Sequence, residues 1–159
     1  MSIASGMAAG RPSVFISYSH DGPEHEAQVR ALAEQLSSDG LACTIDQHTP
    51  HPEEGWPRWM THQIHRATFV ILVCSDVYYK RVMGEDAPGV GNGVIWEANL
   101  IFQYIYDAGS TNRRFVPVLL KDASKEAIPT PLRGVTHYRI QTPTLADTGY
   151  RDLYALLTS

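Results

Sequence analysis

Four places in the chain carry residue types suited to binding or cleaving a small ligand. The first is Ser17-Tyr18-Ser19-His20-Asp21, which follows the apolar run Val14-Phe15-Ile16. The second is Asp46, after the apolar stretch Leu41 to Ile45, and the third is Ser75-Asp76, after Thr68 to Cys74. Hydroxyls and turn amides at the ends of apolar runs can hold ribose and pyrophosphate groups. Tyr18, Trp56 and Trp96 add rings that can stack on a planar base, although such rings more often serve in cores and interfaces. The fourth place is Glu97, in the segment Val94 to Tyr106.

The surroundings of Glu97 follow from helical periodicity. At about 100° per residue, Val94, Ala98, Ile101, Phe102 and Ile105 form one apolar face, and Trp96, Asn99 and Gln103 lie away from it. Glu97 falls on the shoulder beside Leu100 and Tyr104, where a carboxylate is partly desolvated. It also sits in the first turn, where the helix dipole favours an anion. Two readings stay open on this pattern: a helix-start glutamate, or a reactive carboxylate.

The elements that must position these residues alternate. Asp21-Gly22-Pro23-Glu24 combines a possible capping carboxylate with a proline suited to a first helical turn, so a helix is expected to begin there. Val29, Leu32, Ala33 and Leu36 continue it at helical spacing, and Gly40 is placed to end it in a left-handed conformation. Strand two is expected over Leu41 to Ile45, then the Pro-rich acidic loop His48 to Gly55. A second helix opens at Trp56-Pro57, with Met60, Ile64 and Ala67 on one face. Strand three, Thr68 to Cys74, is continuously apolar, as expected in the middle of a parallel sheet.

Beyond it, Tyr78 to Met83 is ambiguous, Gly84 to Gly93 reads as a loop, and Val94 to Tyr106 as a third helix. Strand four is expected over Phe115 to Leu120, where Pro117 argues for an edge position or irregular pairing. A short fifth strand, His137 to Ile140, precedes a last helix starting near Tyr150. Strands alternating with helices predict an α/β domain, with a parallel sheet and right-handed crossovers.

Composition limits the function classes. The 159 residues are 43% hydrophobic, enough for a single core and one domain over residues 12–159. Residues 1–11, rich in Ala, Gly and Ser without periodicity, read as disordered, and the short last helix suggests a domain cut from a longer chain. A formal charge of -4 with scattered arginines gives no nucleic-acid footprint. No apolar stretch is long enough to span a membrane, and no leader is evident, so a cytoplasmic setting is expected. Cys43 and Cys74 fall in strands, as buried free thiols would.

Other signals are weaker. Gly89-Val90-Gly91-Asn92-Gly93 lacks the dinucleotide spacing and does not directly follow a strand, so a loop over the cleft is the better reading. His48 with His51 and His62 with His65 lack a third ligand, and no metal site is expected. No nucleophile elbow or Cys-His pair is present.

In their order and spacing, Phe15-Ile16-Ser17-Tyr18, the loop after strand two, Phe69 to Cys74 followed by Ser75, Trp96-Glu97, and Phe115-Val116-Pro117-Val118 resemble a TIR-type domain. The closer resemblance is to its SEFIR-like bacterial branch, over roughly residues 12–157. This resemblance implies a flavodoxin-like sheet of about five parallel strands with helices on both faces. It also implies two roles: self-association in signalling, and cleavage of NAD+ to nicotinamide and ADP-ribose or a cyclic product. The family's catalytic glutamate lies on the helix after strand three, the place Glu97 occupies.

NAD+ cleavage suits a lone carboxylate. Ordinary glycosidases need a second one to protonate an alkoxide leaving group. Nicotinamide leaves a cationic pyridinium as a neutral molecule, so only the oxocarbenium-like ribose needs a nearby negative charge. The expected protein is an NAD+ glycohydrolase that needs no cofactor. It would be the effector half of a bacterial antiphage immune protein, activated by oligomerisation and fused to a sensor domain. The 48–56 loop, with Trp56 as its apolar anchor, is the expected self-association surface, extending into filaments where the contact does not close. Two rivals are a non-enzymatic scaffold acting by domain association and a nucleoside-processing transferase of related fold.

Overall fold

The computed structural model describes residues 12–48, 52–83, 103 and 114–159. In it the apolar runs become five strands: β1 (Ser13–Ser17), β2 (Ala42–Thr44), β3 (Phe69–Val73), β4 (Phe115–Leu120) and β5 (Tyr138–Ile140). They form one sheet in the order β2-β1-β3-β4-β5, with every neighbouring pair parallel. This is the flavodoxin-like order, in which the chain leaves β1 to one side and returns to its other side for β3. Four helices are described: α1 (Pro23–Ser38), α2 (Trp56–Arg66), α3 (Asp76–Val82) and α4 (Thr148–Thr158).

Alternation along β1 divides the core. Val14, Ile16 and Tyr18 point toward one face, where they pack with Val29, Leu32, Ala33 and Leu36 of α1 and with Tyr150, Leu153 and Leu157 of α4. Phe15 points to the other, against Trp59, Met60 and Ile64 of α2 and Tyr78 of α3. Burial of a leucine such as Leu32 or Leu36, both fully buried, contributes about 2 kcal/mol. The helices therefore cover both faces, as continuous apolar strands require.

Helix ends follow the local chemistry, with one departure. Gly40 has φ of 103°, in the left-handed region expected of a residue that ends a helix. Asp21 does not cap α1: the capping position is Gly22, and no side chain bonds to the helix start. Pro23 enters the first turn, where it forfeits no helical hydrogen bond. The ambiguous stretch 78–83 falls mostly within α3, which Ser75 caps by accepting from the Tyr78 N–H at 3.2 Å.

Pro117 does not mark an edge. β4 lies between β3 and β5, with Pro117 opposite Leu72. The Val118 carbonyl accepts from the Cys74 N–H, so Val118 turns its polar groups to β3 and Pro117 faces the β5 side. Pairing with β5 begins only at Val118, and the missing N–H of Pro117 therefore costs no ladder bond.

The expected third helix lies outside the described residues except for Gln103, which is helical. Residues 1–11 and the Gly84 to Gly93 loop also lie outside them. Among the described residues no helix is long and apolar enough to cross a membrane. Cys43 and Cys74 are free thiols, each pushed up to about 12 by burial.

Candidate functional site at the carboxyl edge of the sheet

The polar residues after β1 split between the two faces of the sheet, as a period of two demands. On the α3 side, the Ser17 and Tyr78 hydroxyls meet at 2.8 Å, and Ser17 is 1% exposed. Two residues on, the Ser19 hydroxyl donates to the Asp21 carboxylate and lies 3.2 Å from the Ser75 hydroxyl. Ser19 lies two residues past the end of β1 and Ser75 two past the end of β3, so this pair spans the point where the chain reverses direction across the sheet. Doubly wound folds leave a crevice for ligands outside the strands at that point. Ser75 is half-buried and Ser19 is covered, so Ser75 is the member nearer the outside.

On the α1 side, Tyr18 is 4% exposed, and its hydroxyl donates to Asp46 Oδ1 at 2.5 Å. His20 Nε2 is 2.6 Å from Asp46 Oδ2, and its Nδ1 is 3.4 Å from Glu26 of α1. The Gln47 amide donates to the Tyr18 hydroxyl at 2.9 Å and to the Glu26 carbonyl at 3.1 Å, and Arg30 donates to Gln47 Oε1 at 2.9 Å. These bonds tie β1, β2 and the start of α1 into one network.

The charges in this network follow from its geometry. The bond to Asp46 lifts the His20 imidazole above its ordinary value, against the effect of burial. Burial pushes Asp46 up, but the bonds from His20 and Tyr18 and the nearby imidazolium outweigh it and hold the carboxyl below the usual range. Burial, and then the bond to Asp46, place the Tyr18 phenol far above ordinary titration.

The structure thus joins Tyr18 to Asp46 directly and Ser19 to Ser75 directly, on opposite faces. Ser17 belongs to a buried pair with Tyr78. Tyr18 stands among core side chains, with its hydroxyl committed to Asp46. Trp56 begins α2, while Glu97 and Trp96 lie outside the described residues. In the 48–56 loop, residues 49–51 lie outside them too, and Glu54 turns back to bond His62 of α2 at 3.0 Å. Among the described residues no group of His, Cys, Asp and Glu could hold a metal ion.

Of the partners in these clusters, His20 and Asp21 belong to the polar run that the sequence marks after Ile16, whereas Gln47 and Tyr78 carry no such mark. His20 and Gln47 share one signal, since each lies three residues past the end of one of two neighbouring parallel strands. His25 is a further member: its Nε2 is buried without a hydrogen bond, 3.8 Å from Asp21, beyond bonding reach. A groove of about 350 Å³ opens elsewhere, between α1 and the ends of β4 and β5. Ala27, Ala31, Leu120 and Ile140 line it, and it does not include the Ser19–Ser75 pair.

The sheet order, the two-sided helical cover and the polar strand ends define a flavodoxin-like domain of the TIR type. A model of the SEFIR domain matches residues 12–146, and the chain belongs to that family. A prokaryotic SEFIR domain is similar to it with a TM-score of 0.68 and 24% identity, over 93% of this chain and 99% of that one. The SEFIR domain of IL-17 receptor B gives a TM-score of 0.61 at 14% identity, over 93% of this chain and 98% of that one. A metazoan TIR-STING receptor from C. gigas, solved in complex with 2',3'-cGAMP, gives 0.60 at 21%, over 92% of this chain and 39% of that one. No curated protein matches the chain.

Proposed function

We propose that the domain cleaves NAD+ to nicotinamide and an ADP-ribose product, with Glu97 as the catalytic carboxylate. The observation that carries this reading is the hydroxyl pair of Ser19 and Ser75 across the β1/β3 switch point, with Asp21 behind it. That is where a flavodoxin-like sheet receives a nucleotide. The likeness in fold to a TIR-STING receptor is consistent with it.

In the proposed reaction the glycosidic C–N bond breaks and its electron pair returns to the pyridinium nitrogen. Nicotinamide departs neutral, so no proton donor is needed. The Glu97 carboxylate stabilises the oxocarbenium-like ribose, and water or a second nucleophile then adds at the same carbon. The half-buried Ser75 hydroxyl supplies a bond to ribose or pyrophosphate, and Ser19 and Asp21 hold Ser75 in place. The setting proposed with this activity is a cytoplasmic immune effector whose sensor domain is fused outside the present chain and whose turnover rises on clustering.

The second reading, a signalling module that acts only by association, has its own observation. Tyr18, His20, Asp46 and Gln47 bond to one another, so half of the polar strand ends are already saturated. The likeness to the SEFIR domain of a receptor agrees with it. Nicotinamide release from NAD+ separates the two, measured on the domain alone and fused to an oligomeriser. Turnover that rises on clustering and falls about two to three orders of magnitude in folded Glu97→Gln is expected of the enzyme, since removing one transition-state stabiliser costs about that much. Absence of nicotinamide release from the clustered, folded wild type would leave the association module.

A further inference from the structure

We propose that the groove between α1 and the ends of β4 and β5 is a binding site for a planar aromatic ring bearing one negative charge, separate from the switch-point pair and independent of both readings above. Its volume of about 350 Å³ falls within the range of small-molecule pockets. Leu32 and Ile140, which line it, belong to the core on the α1 side of the sheet, whereas Ser19 and Ser75 stand on the α3 side. A ligand in the groove therefore leaves the switch point open.

The walls suit a flat ring and are built in advance. On the α1 side, Glu24, Ala27 and Ala31 follow one another at helical spacing, and the two alanines leave that wall without bulk. Leu120 and Pro143 line the groove from the strand ends. Asp147 accepts from the Gln141 and Thr142 N–H groups, both at 2.8 Å, which fixes the segment that carries Pro143. Lys121, directly after Leu120, has a φ of 54°, rare for a residue with a side chain. Its N–H donates to the Ile140 carbonyl at 2.9 Å, and its carbonyl accepts from Arg139 at 2.5 Å. Backbone held in a sparsely populated conformation by its surroundings is characteristic of ligand clamps. Walls fixed in this way spare a ligand the cost of ordering them.

Charge selects the ligand. Lys121 lines the groove, and its ammonium has no ion-pair partner among the described residues, so it offers a place for one anionic group. Glu24 also lines the groove without an ion-pair partner among the described residues, and it disfavours a second anionic group. A single negative charge near Lys121, on an apolar ring between the alanines and the strand ends, meets both conditions.

Fluorescence titration of the wild-type chain with 1-anilinonaphthalene-8-sulfonate, an aromatic monoanion, tests the site, with N-phenyl-1-naphthylamine as the same ring system without the sulfonate. Saturable binding of the anion at one site per chain is expected. Lys121→Gln, which keeps the backbone contacts, should weaken the anion about fivefold, the upper end for an exposed charge pair, and leave the neutral probe unchanged. Glu24→Gln should tighten the anion about twofold by removing a like charge. Ala31→Leu, and separately Ala27→Leu, fill the slot from an exposed helix position and should weaken both probes about tenfold or more, with circular dichroism unchanged. Absence of saturable binding by the folded wild type, or binding that no substitution changes, would overturn the site. Weakening by the leucine variants with no response to Lys121→Gln would overturn the anionic ligand and leave an apolar cleft.

Discussion

The carboxyl edge of the sheet is secured differently at its two ends. After β1, β2 and β3, side chains hold side chains: Tyr18 with Asp46, His20 with Asp46, Ser17 with Tyr78, Ser19 with Ser75. After β4 and β5, backbone is held instead. Asp147 accepts from the N–H groups of Gln141, Thr142 and Tyr150, and the Lys121 carbonyl accepts from the Arg139 and Gln141 side chains. Lys121 has a φ of 54°, and Gly149 lies against the backbone of Arg139. Side-chain hydroxyls can trade partners with an incoming ligand at small cost, whereas pinned backbone cannot. The difference places exchangeable chemistry at the β1/β3 end and rigidity at the β4/β5 end.

The pinned end should break most severely. A Cβ on Gly149 would lie 1.6 Å from the Arg139 carbonyl oxygen and 2.7 Å from its carbon, so α4 must shift from β5 to accept it. Gly149→Ala is expected to cost about 3 kcal/mol, the upper end for overpacking, read by urea denaturation. A variant as stable as the wild type would show that the β4/β5 end yields as readily as the other.

The comparison also explains what was legible in the sequence. β1, β3 and β4 were readable because strands covered on both faces are continuously apolar, and the parallel topology followed from their alternation with helices. β2 and β5 are each three residues long and were legible mainly through their neighbours. Pro117 misled because its cost depends on which side of β4 its nitrogen faces, and only the register reveals that. At the site, Ser19, Asp46 and Ser75 were readable as strand-end polar residues. The partners that fix them were not, because Ser17 and Tyr78 are 61 residues apart and Ser19 and Ser75 are 56 apart. For Tyr18 the sequence leaves stacking and core open, and alternation with Val14 and Ile16 decides for the core.

A smaller effect is expected from the ionic part of the β1/β2 end. The His20 pKa is raised in the fold, so its stabilisation is fully present below 6.5, the ordinary imidazole value, and fades as pH rises through the higher folded value. The Asp46 pKa is lowered, so its contribution is present above 3.8 and fades as pH falls through the lower folded value. The pair therefore stabilises most between those two ordinary values. The His20 side chain is 45% exposed, and solvent screening reduces the gain to about 0.5 kcal/mol. Denaturation of wild type and His20→Asn across pH 4 to 9 should show the gap between them narrowing on the alkaline side. A gap constant with pH would mean that the contact is held by neutral hydrogen bonding alone.

A test of a different kind falls on Ser75, which serves both as the α3 cap and as the outer member of the switch-point pair. Ser75→Ala removes one capping bond and should cost about 1 kcal/mol, less than the break at Gly149. Its effect on the proposed reaction should be of a different kind. A hydroxyl that binds ribose or pyrophosphate away from the breaking bond holds substrate and transition state alike, so KM for NAD+ should rise while kcat stays near the wild-type value. A fall in kcat at constant KM would instead place Ser75 against the charge that develops on the ribose. With both constants unchanged in a folded variant, the β1/β3 hydroxyls would be structural, and the two ends of the sheet edge would differ only in how they are held.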